Sequence, residues 1–273
     1  MRILHVCAGW QETNGAAVIA RFVAEEQRRQ GHDVRFGTWA GLKEIRAADE
    51  VWTHCGWLPV LWRAGLFARR LVRMPEACYD PVRLAYHGWK KRLAGPVERF
   101  FLRCAQKVMA TCEAERDWIL AYEPKARVEV MDIKRFFNLE SASPFRPSKP
   151  VHVLYLGRRH PLKGVEYLER AVDGMQDVEL RIVSEAVGAA KDAAWDWCDV
   201  LVLPTLSENF GLVVAEALER GKCVITTDGA PAWWEDGRNY GGRLVCLKGY
   251  RDGDDETRVR LLKDALTACQ PAS

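Results

Sequence analysis

Among nine cysteines in 273 residues there is no C-x-x-C pair and no zinc-ligand spacing, and the number is odd. That excludes a disulfide framework, so the thiols at 7, 55, 78, 104, 112, 198, 223, 246 and 269 read as reduced. Nor does any run approach the ~18 apolar residues of a membrane-crossing helix. The longest uncharged stretch of that kind, Val51 to Trp62, is too short. The N-terminus carries one positive charge before a six-residue strand-like run, too short for the core of a signal peptide, so the protein is expected to stay inside the cell. With 48% hydrophobic and 28% charged residues, the composition excludes disordered and collagenous classes. The length suits one large domain or two modest ones at about 100 to 200 residues each. Tryptophan, at 11 residues, is the one abundant surprise.

The net charge of +3 hides an asymmetry. Up to Ser148 there are 24 Lys/Arg against 17 Asp/Glu, and beyond it 16 against 20. Much of the basic excess falls between Trp62 and Lys107, where 11 cations face 3 acids among Trp62, Phe67, Trp89, Phe100 and Phe101. This stretch is the expected contact for an anionic partner, either a membrane surface or a phosphorylated glycolipid. No nucleic-acid-binding motif accompanies the charge.

Periodicity reads as a strand over Arg2 to Cys7, a loop to Gly15, a helix from Ala16 to Gln30, Gly31 at the helix end, and a strand from Val34 to Thr38. Asn14-Gly15 opens the helix, where free amides can meet a phosphate or sugar hydroxyl. A strand over Glu50 to Thr53, helical patterns through Arg73, over Trp89 to Gln106 and over Glu113 to Tyr122, and strands at Lys107 to Ala110 and Arg127 to Met131 complete a first half. Ser141 to Pro150, rich in Ser and Pro, reads as a linker between domains 1–148 and 149–273. Beyond it, strands at Val151 to Leu156, Glu179 to Val183, Val200 to Pro204 and Cys223 to Thr227 alternate with helices at Gly164 to Val172, Ala189 to Trp197 and Gly211 to Arg220. This alternation predicts α/β domains with parallel sheets, whose ligands bind beyond the carboxyl ends of the strands.

Two loops at such ends carry charge. Gly157-Arg158-Arg159-His160-Pro161-Leu162-Lys163-Gly164 offers an arginine and a lysine that can clamp a diphosphate. Thr205-Leu206-Ser207-Glu208-Asn209-Phe210-Gly211-Leu212 leads into a helix with Ser207 as its expected N-cap and the amides of Asn209 to Leu212 at its start. Glu216 lies eight residues after Glu208, about 12 Å along a helix axis. On a helix that otherwise reads as apolar, a carboxylate without a partner is costly, and a ligand explains it better than a core role.

The run from Leu203 to Thr227, with Glu208 and Glu216 and the following Asp228-Gly229-Ala230-Pro231, resembles the signature of retaining glycosyltransferases of family 4. These have the two-Rossmann, B-type (GT-B) fold, two Rossmann-like domains facing across a cleft. Gly157-Arg158 through Lys163-Gly164 is similar to the family's diphosphate loop, and Asp80-Pro81 with Trp89-Lys90-Lys91-Arg92-Leu93 looks like members that build lipopolysaccharide or exopolysaccharide. The resemblance implies that Arg158 and Lys163 hold the nucleotide diphosphate, Glu216 the ribose hydroxyls, and Glu208 with Asn209, Phe210, Gly211 and Leu212 the donor sugar, while Gly15 closes on the phosphates. It implies a nucleotide-sugar donor, a glycan or glycolipid acceptor and no metal or other cofactor. Asp252-Gly253-Asp254 reads as a hydrophilic loop after the last strand rather than as a metal motif. Two departures stand out. The family's His-Gly pair is replaced by Glu76-Ala77, with His54 as the other candidate to face the reacting sugar. The segment between Val183 and Gly188 lacks a strand, loop and helix, so the second domain is shortened. An epimerase or phosphorylase on the same fold, or a degenerate transferase that binds nucleotide sugar or partners an active subunit, are the competing readings.

Overall fold

A computed structural model describes residues 1–11, 14–38, 40–56, 59–140, 147–184 and 186–270. The chain forms two compact units, Met1–Ile133 and Lys134–Ser273. The first unit runs β1 (Arg2–Val6), α1 (Gly15–Arg29), β2 (Asp33–Gly37), α2 (Leu42–Ala47), β3 (Glu50–His54), α3 (Pro59–Phe67), β4 (Leu71–Met74), α4 (Pro81–His87), α5 (Trp89–Cys104), β5 (Lys107–Ala110), α6 (Glu113–Tyr122) and β6 (Val128–Val130). Its sheet has the order β2-β1-β3-β4-β5-β6, all parallel. The second unit runs β7 (Val151–Leu156), α7 (Val165–Val172), β8 (Val178–Val183), α8 (Ala189–Trp197), β9 (Val200–Val202), α9 (Leu212–Glu219), β10 (Cys223–Thr227), β11 (Leu244–Leu247) and α10 (Asp255–Ala268). Its five strands, also parallel, are ordered β11-β10-β9-β7-β8.

The sequence explains this layering. In β7 every residue but His152 is buried, as a strand covered on both faces requires. Helix α1 buries Ala16, Ile19, Ala20, Val23 and Gln27 on one stripe, and the Asn14 side chain accepts from the Ala16 amide at 3.2 Å to cap it.

Three features differ from expectation. Leu71–Met74 is a strand, although the pattern after Thr53 reads as helical through Arg73; buried Arg73, ion-paired with buried Glu98 at 3.0 Å, masks a strand of otherwise apolar residues. Beyond β10 the chain continues into β11 and α10, and Asp254 caps α10 by accepting from the Thr257 amide at 2.8 Å. The change of unit falls at Ile133/Lys134, ahead of the expected 148/149. Residues 134–140 pack on the second unit: Lys134 pairs with Asp236, the Asn138 amide donates to Glu219 at 3.2 Å, and Arg243 donates to the Leu139 carbonyl at 3.2 Å. Residues 141–146 of the expected linker lie outside the described residues.

Candidate active site

In the second unit, the loop after β7 and the loop after β9 are stitched together by their backbones. The Leu206 amide and the Thr205 hydroxyl both donate to the Leu162 carbonyl, at 2.9 and 3.0 Å. Gly164 sits at φ +61°, and a Cβ there would lie 2.2 Å from the Pro204 carbonyl oxygen, so only glycine allows this approach. The stitching brings Lys163 and Glu208 into an ion pair, each still partly open to solvent. Arg158 is exposed and makes no ion pair or side-chain hydrogen bond with the described residues, whereas Arg159 is engaged by Glu169. The loop therefore presents one uncommitted cation beside one lightly committed one.

Helix α9 begins at Leu212, with Gly211 at φ +70° as its N-cap. Ser207 is buried and is not the cap, and Glu208 lies in the loop rather than on the helix, so the expected spacing along one helix axis does not apply. The Glu208 carboxylate folds back to accept from the Asn209 amide at 3.0 Å, while its own amide donates to the Gly229 carbonyl at 2.8 Å. Phe210 is core: its ring packs on Trp233 at 5.1 Å and on Phe137 at 5.9 Å, and its carbonyl accepts from the Trp233 indole. The first-turn amides of Leu212 and Val213 carry the positive end of α9 toward Glu208 and Lys163.

Glu216, one turn further on, has a partner that sequence reasoning missed. The Lys191 ammonium, from the first turn of α8, stands 2.7 Å from both carboxylate oxygens and donates to Oε1. Oε2 is buried and lies equally near the ammonium, so the ion pair is shared between the two oxygens.

The first unit gathers a second polar group at the carboxyl ends of β1, β3 and β4. His5 Nε2 meets Gln27 Oε1 at 2.8 Å, His5 Nδ1 meets His54 Nε2 at 2.9 Å, and His54 Nδ1 meets Glu76 Oε1 at 3.2 Å. With the Gln27 amide oxygen facing His5, direction propagates: His5 donates from Nε2, His54 donates from Nε2, and the last nitrogen needs a proton from Glu76. The carboxyl is then neutral. Burial pushes its pKa up to about 8, and burial lowers both histidines to about 3, in agreement with that assignment. The His54–Glu76 contact is thus a neutral hydrogen bond, although its geometry would admit an ion pair. The loop beneath is held in left-handed backbone at Cys55, Glu76 and Ala77, with φ of 65°, 57° and 59°. Glu115 braces it, accepting from the Ala77 amide at 2.5 Å and the Thr111 amide at 2.7 Å.

A Glycosyl transferase 4-like domain model matches residues 39–132, and a Glycosyl transferases group 1 model matches residues 183–255. Together these span over half of the chain, one model in each unit. The chain belongs to the GT-B glycosyltransferases of family 4 type. Among solved structures, the transferase is similar to Anabaena Alr3699/HepE in complex with UDP and glucose (18% identity, 98% of this chain and 94% of that one, TM-score 0.63). It is also similar to sucrose-phosphate synthase from Thermosynechococcus elongatus (14% identity, 98% and 90%, TM-score 0.69) and to WaaG, a glycosyltransferase involved in lipopolysaccharide biosynthesis (14% identity, 97% and 90%, TM-score 0.62). Comparison with curated protein sequences gives no match.

On the transferase, the expected site residues fall into two sets. Lys163, Glu208 and the start of α9 converge, with Arg158 on the same loop; Glu216 follows on α9. His54 and Glu76, expected to face the reacting sugar, are instead shut inside, with 0% and 6% of their surfaces exposed. Gly15 is exposed as the first residue of α1. The basic stretch Trp62 to Lys107 also sorts itself: Arg73 is neutralised by Glu98, Arg103 is paired with Glu123 at 2.8 Å, and Phe101 is buried, whereas Trp62 is half-buried with its indole donating to Glu98. Leu66, Phe67 and Tyr86 remain partly outside, and so does one face of α5. Trp89, Leu93, Val97 and Phe100, spaced four, four and three residues apart, are 66%, 73%, 40% and 51% exposed. At 100° per residue they form one stripe, directly beside Arg92, Arg99 and Arg103. Those three arginines with Lys91, Leu84, Phe100 and Tyr122 line a groove of about 690 Å³ between α4, α5 and α6.

Proposed function

We propose that the transferase takes a sugar from a UDP- or GDP-type nucleotide-diphosphate sugar and passes it, with retention, to a surface-glycan or lipopolysaccharide-type acceptor. The observation that carries this reading is the convergence of Arg158, Lys163, Glu208 and the α9 amides at the carboxyl ends of β7 and β9, followed on α9 by Glu216. Negative charge grows on the departing diphosphate, and Arg158, Lys163 and the positive end of α9 offset it there, without a metal ion. Lys163 exchanges Glu208 for the diphosphate, and the released Glu208 carboxylate accepts from sugar hydroxyls. The attacking acceptor hydroxyl approaches the face that the diphosphate leaves. The structure of HepE with UDP-glucose supports a uridine donor for this fold. Glu216, on this reading, accepts from the ribose diol, so Glu216→Ala weakens UDP or GDP binding by about tenfold or more in calorimetry, as a charge-assisted pair of hydrogen bonds implies. Unchanged affinity in a folded variant would remove the assignment.

The inward burial of His54 and Glu76 favours one second reading, a nucleotide-sugar-binding partner subunit without turnover of its own. Hydrolysis or transfer of donor sugar by the purified chain separates the two.

We further place the enzyme at the inner face of an anionic membrane. No helix among the described residues is long and apolar enough to cross a bilayer, and attachment rests on α5, whose apolar stripe beside an arginine row suits the headgroup boundary. Each cation near an anionic leaflet contributes about 1 kcal/mol, screened by salt. Co-sedimentation with anionic but not neutral vesicles, lost at high salt and in Lys90→Glu/Lys91→Glu/Arg92→Glu, is the expected result. Absence of binding at low salt would confine the groove to a soluble anionic acceptor.

A further inference from the structure

Lys191 occupies a position that helix electrostatics disfavours. It stands in the first turn of α8, where the macrodipole is positive and cations are unfavourable, and α8 starts only a few residues past the carboxyl end of the edge strand β8. That is the side of the sheet on which the loops after β7 and β9 also open. Among the described residues its ion-pair partner is Glu216, 2.7 Å from each oxygen, and the two side chains keep 29% and 19% of their surfaces exposed. The neighbouring acid on the same turn, Asp192, faces Arg220 instead at 3.9 Å. A residue placed against its own helix dipole and toward a partly open carboxylate is explained by what that carboxylate serves.

We infer that Lys191 is a positioning residue for the nucleoside end of the donor: its ammonium grips both oxygens of Glu216 and so fixes the carboxylate that accepts from the ribose diol. This rests on the assignment of Glu216 to the ribose. Two properties follow. The contribution of Lys191 belongs to the nucleoside and not to the phosphates, so it is the same for a nucleoside mono- and diphosphate. It also depends on a cation at the end of a long side chain, so arginine substitutes for it.

The test is calorimetric titration of the full chain with UDP and UMP, or with GDP and GMP if the guanine pair binds more tightly. Lys191→Met is expected to weaken both members of the pair by a similar factor, about tenfold, and Lys191→Arg to restore most of it. Lys163→Met, by contrast, should weaken the diphosphate far more than the monophosphate. Thermal melting of each variant confirms that it is folded. If Lys191→Met binds both nucleotides as the parent does while Glu216→Ala loses them, Lys191 is only a structural partner and the inference is wrong. Tighter binding by Lys191→Met would mean that the ammonium competes with ribose for the carboxylate, which also overturns it. If Glu216→Ala leaves binding unchanged, the ribose assignment itself fails and this inference falls with it.

Discussion

Both units collect ionisable side chains at the carboxyl ends of their parallel strands, but they treat them in opposite ways. In the first unit the histidines, the glutamate and the glutamine are sealed, neutral and bonded in a chain, from Gln27 through His5 and His54 to Glu76, which also accepts from the Cys55 thiol. In the second, Lys163 with Glu208 and Lys191 with Glu216 form ion pairs that stay partly wet, and Arg158 is left open. The difference follows from solvation. A buried group without a counter-charge neutralises itself rather than bear the cost of desolvation, whereas ion pairs that keep some contact with water exchange partners at lower cost. Position at a strand end is therefore not enough to make a residue a ligand contact. Solvent access separates a sealed brace from side chains open to a ligand, and here the open set lies in the second unit.

The sharpest way to break that contrast is to remove the open cations. Arg158→Ala and Lys163→Ala should each lower turnover by about a hundredfold or more with any donor, since they face charge that develops in the transition state. Full turnover in Arg158→Ala with its best donor would return the diphosphate clamp to some other part of the chain.

Much of this was legible from sequence, and the limits have physical causes. The strands β5, β7 and β10 were read to the residue because each is a short, almost wholly buried run, and Lys163, Glu208 and Glu216 stood out as charges beside or within apolar runs. Lys191 was missed, yet a lysine at the start of a helix is itself a signal, since it opposes the dipole. The burial of His54 and Glu76 could not be read: a polar residue at a strand end looks the same whether its partner is a sugar or another side chain 22 or 49 positions away. Strand β4 was hidden because buried Arg73 finds its counter-charge in Glu98 on α5, a contact no local pattern reveals.

A smaller effect sharpens the other side of the comparison. The Glu76 pKa is raised to about 8, so its contribution to stability is complete at acid pH and is lost as pH rises through about 8. The two histidines, lowered to about 3, act in the opposite sense, but their contribution is already complete above about 6.5, the ordinary histidine range. Between pH 6.5 and 8.5 only Glu76 among these three changes the balance. The parent protein should therefore lose a few degrees of melting temperature over that range relative to Glu76→Gln, whose amide still donates to His54 and does not titrate. Parallel pH profiles for the two proteins would show that Glu76 is not held neutral.

Hydrogen exchange on the intact chain, with and without saturating UDP or GDP, tests the central claim most directly. The account predicts that nucleotide slows exchange at residues 157–164, at 206–216 and in the first turn of α8, while the backbone around His5, His54 and Glu76 keeps its rate. Protection concentrated at His5, His54 and Glu76, with the loops after β7 and β9 unchanged, would contradict it.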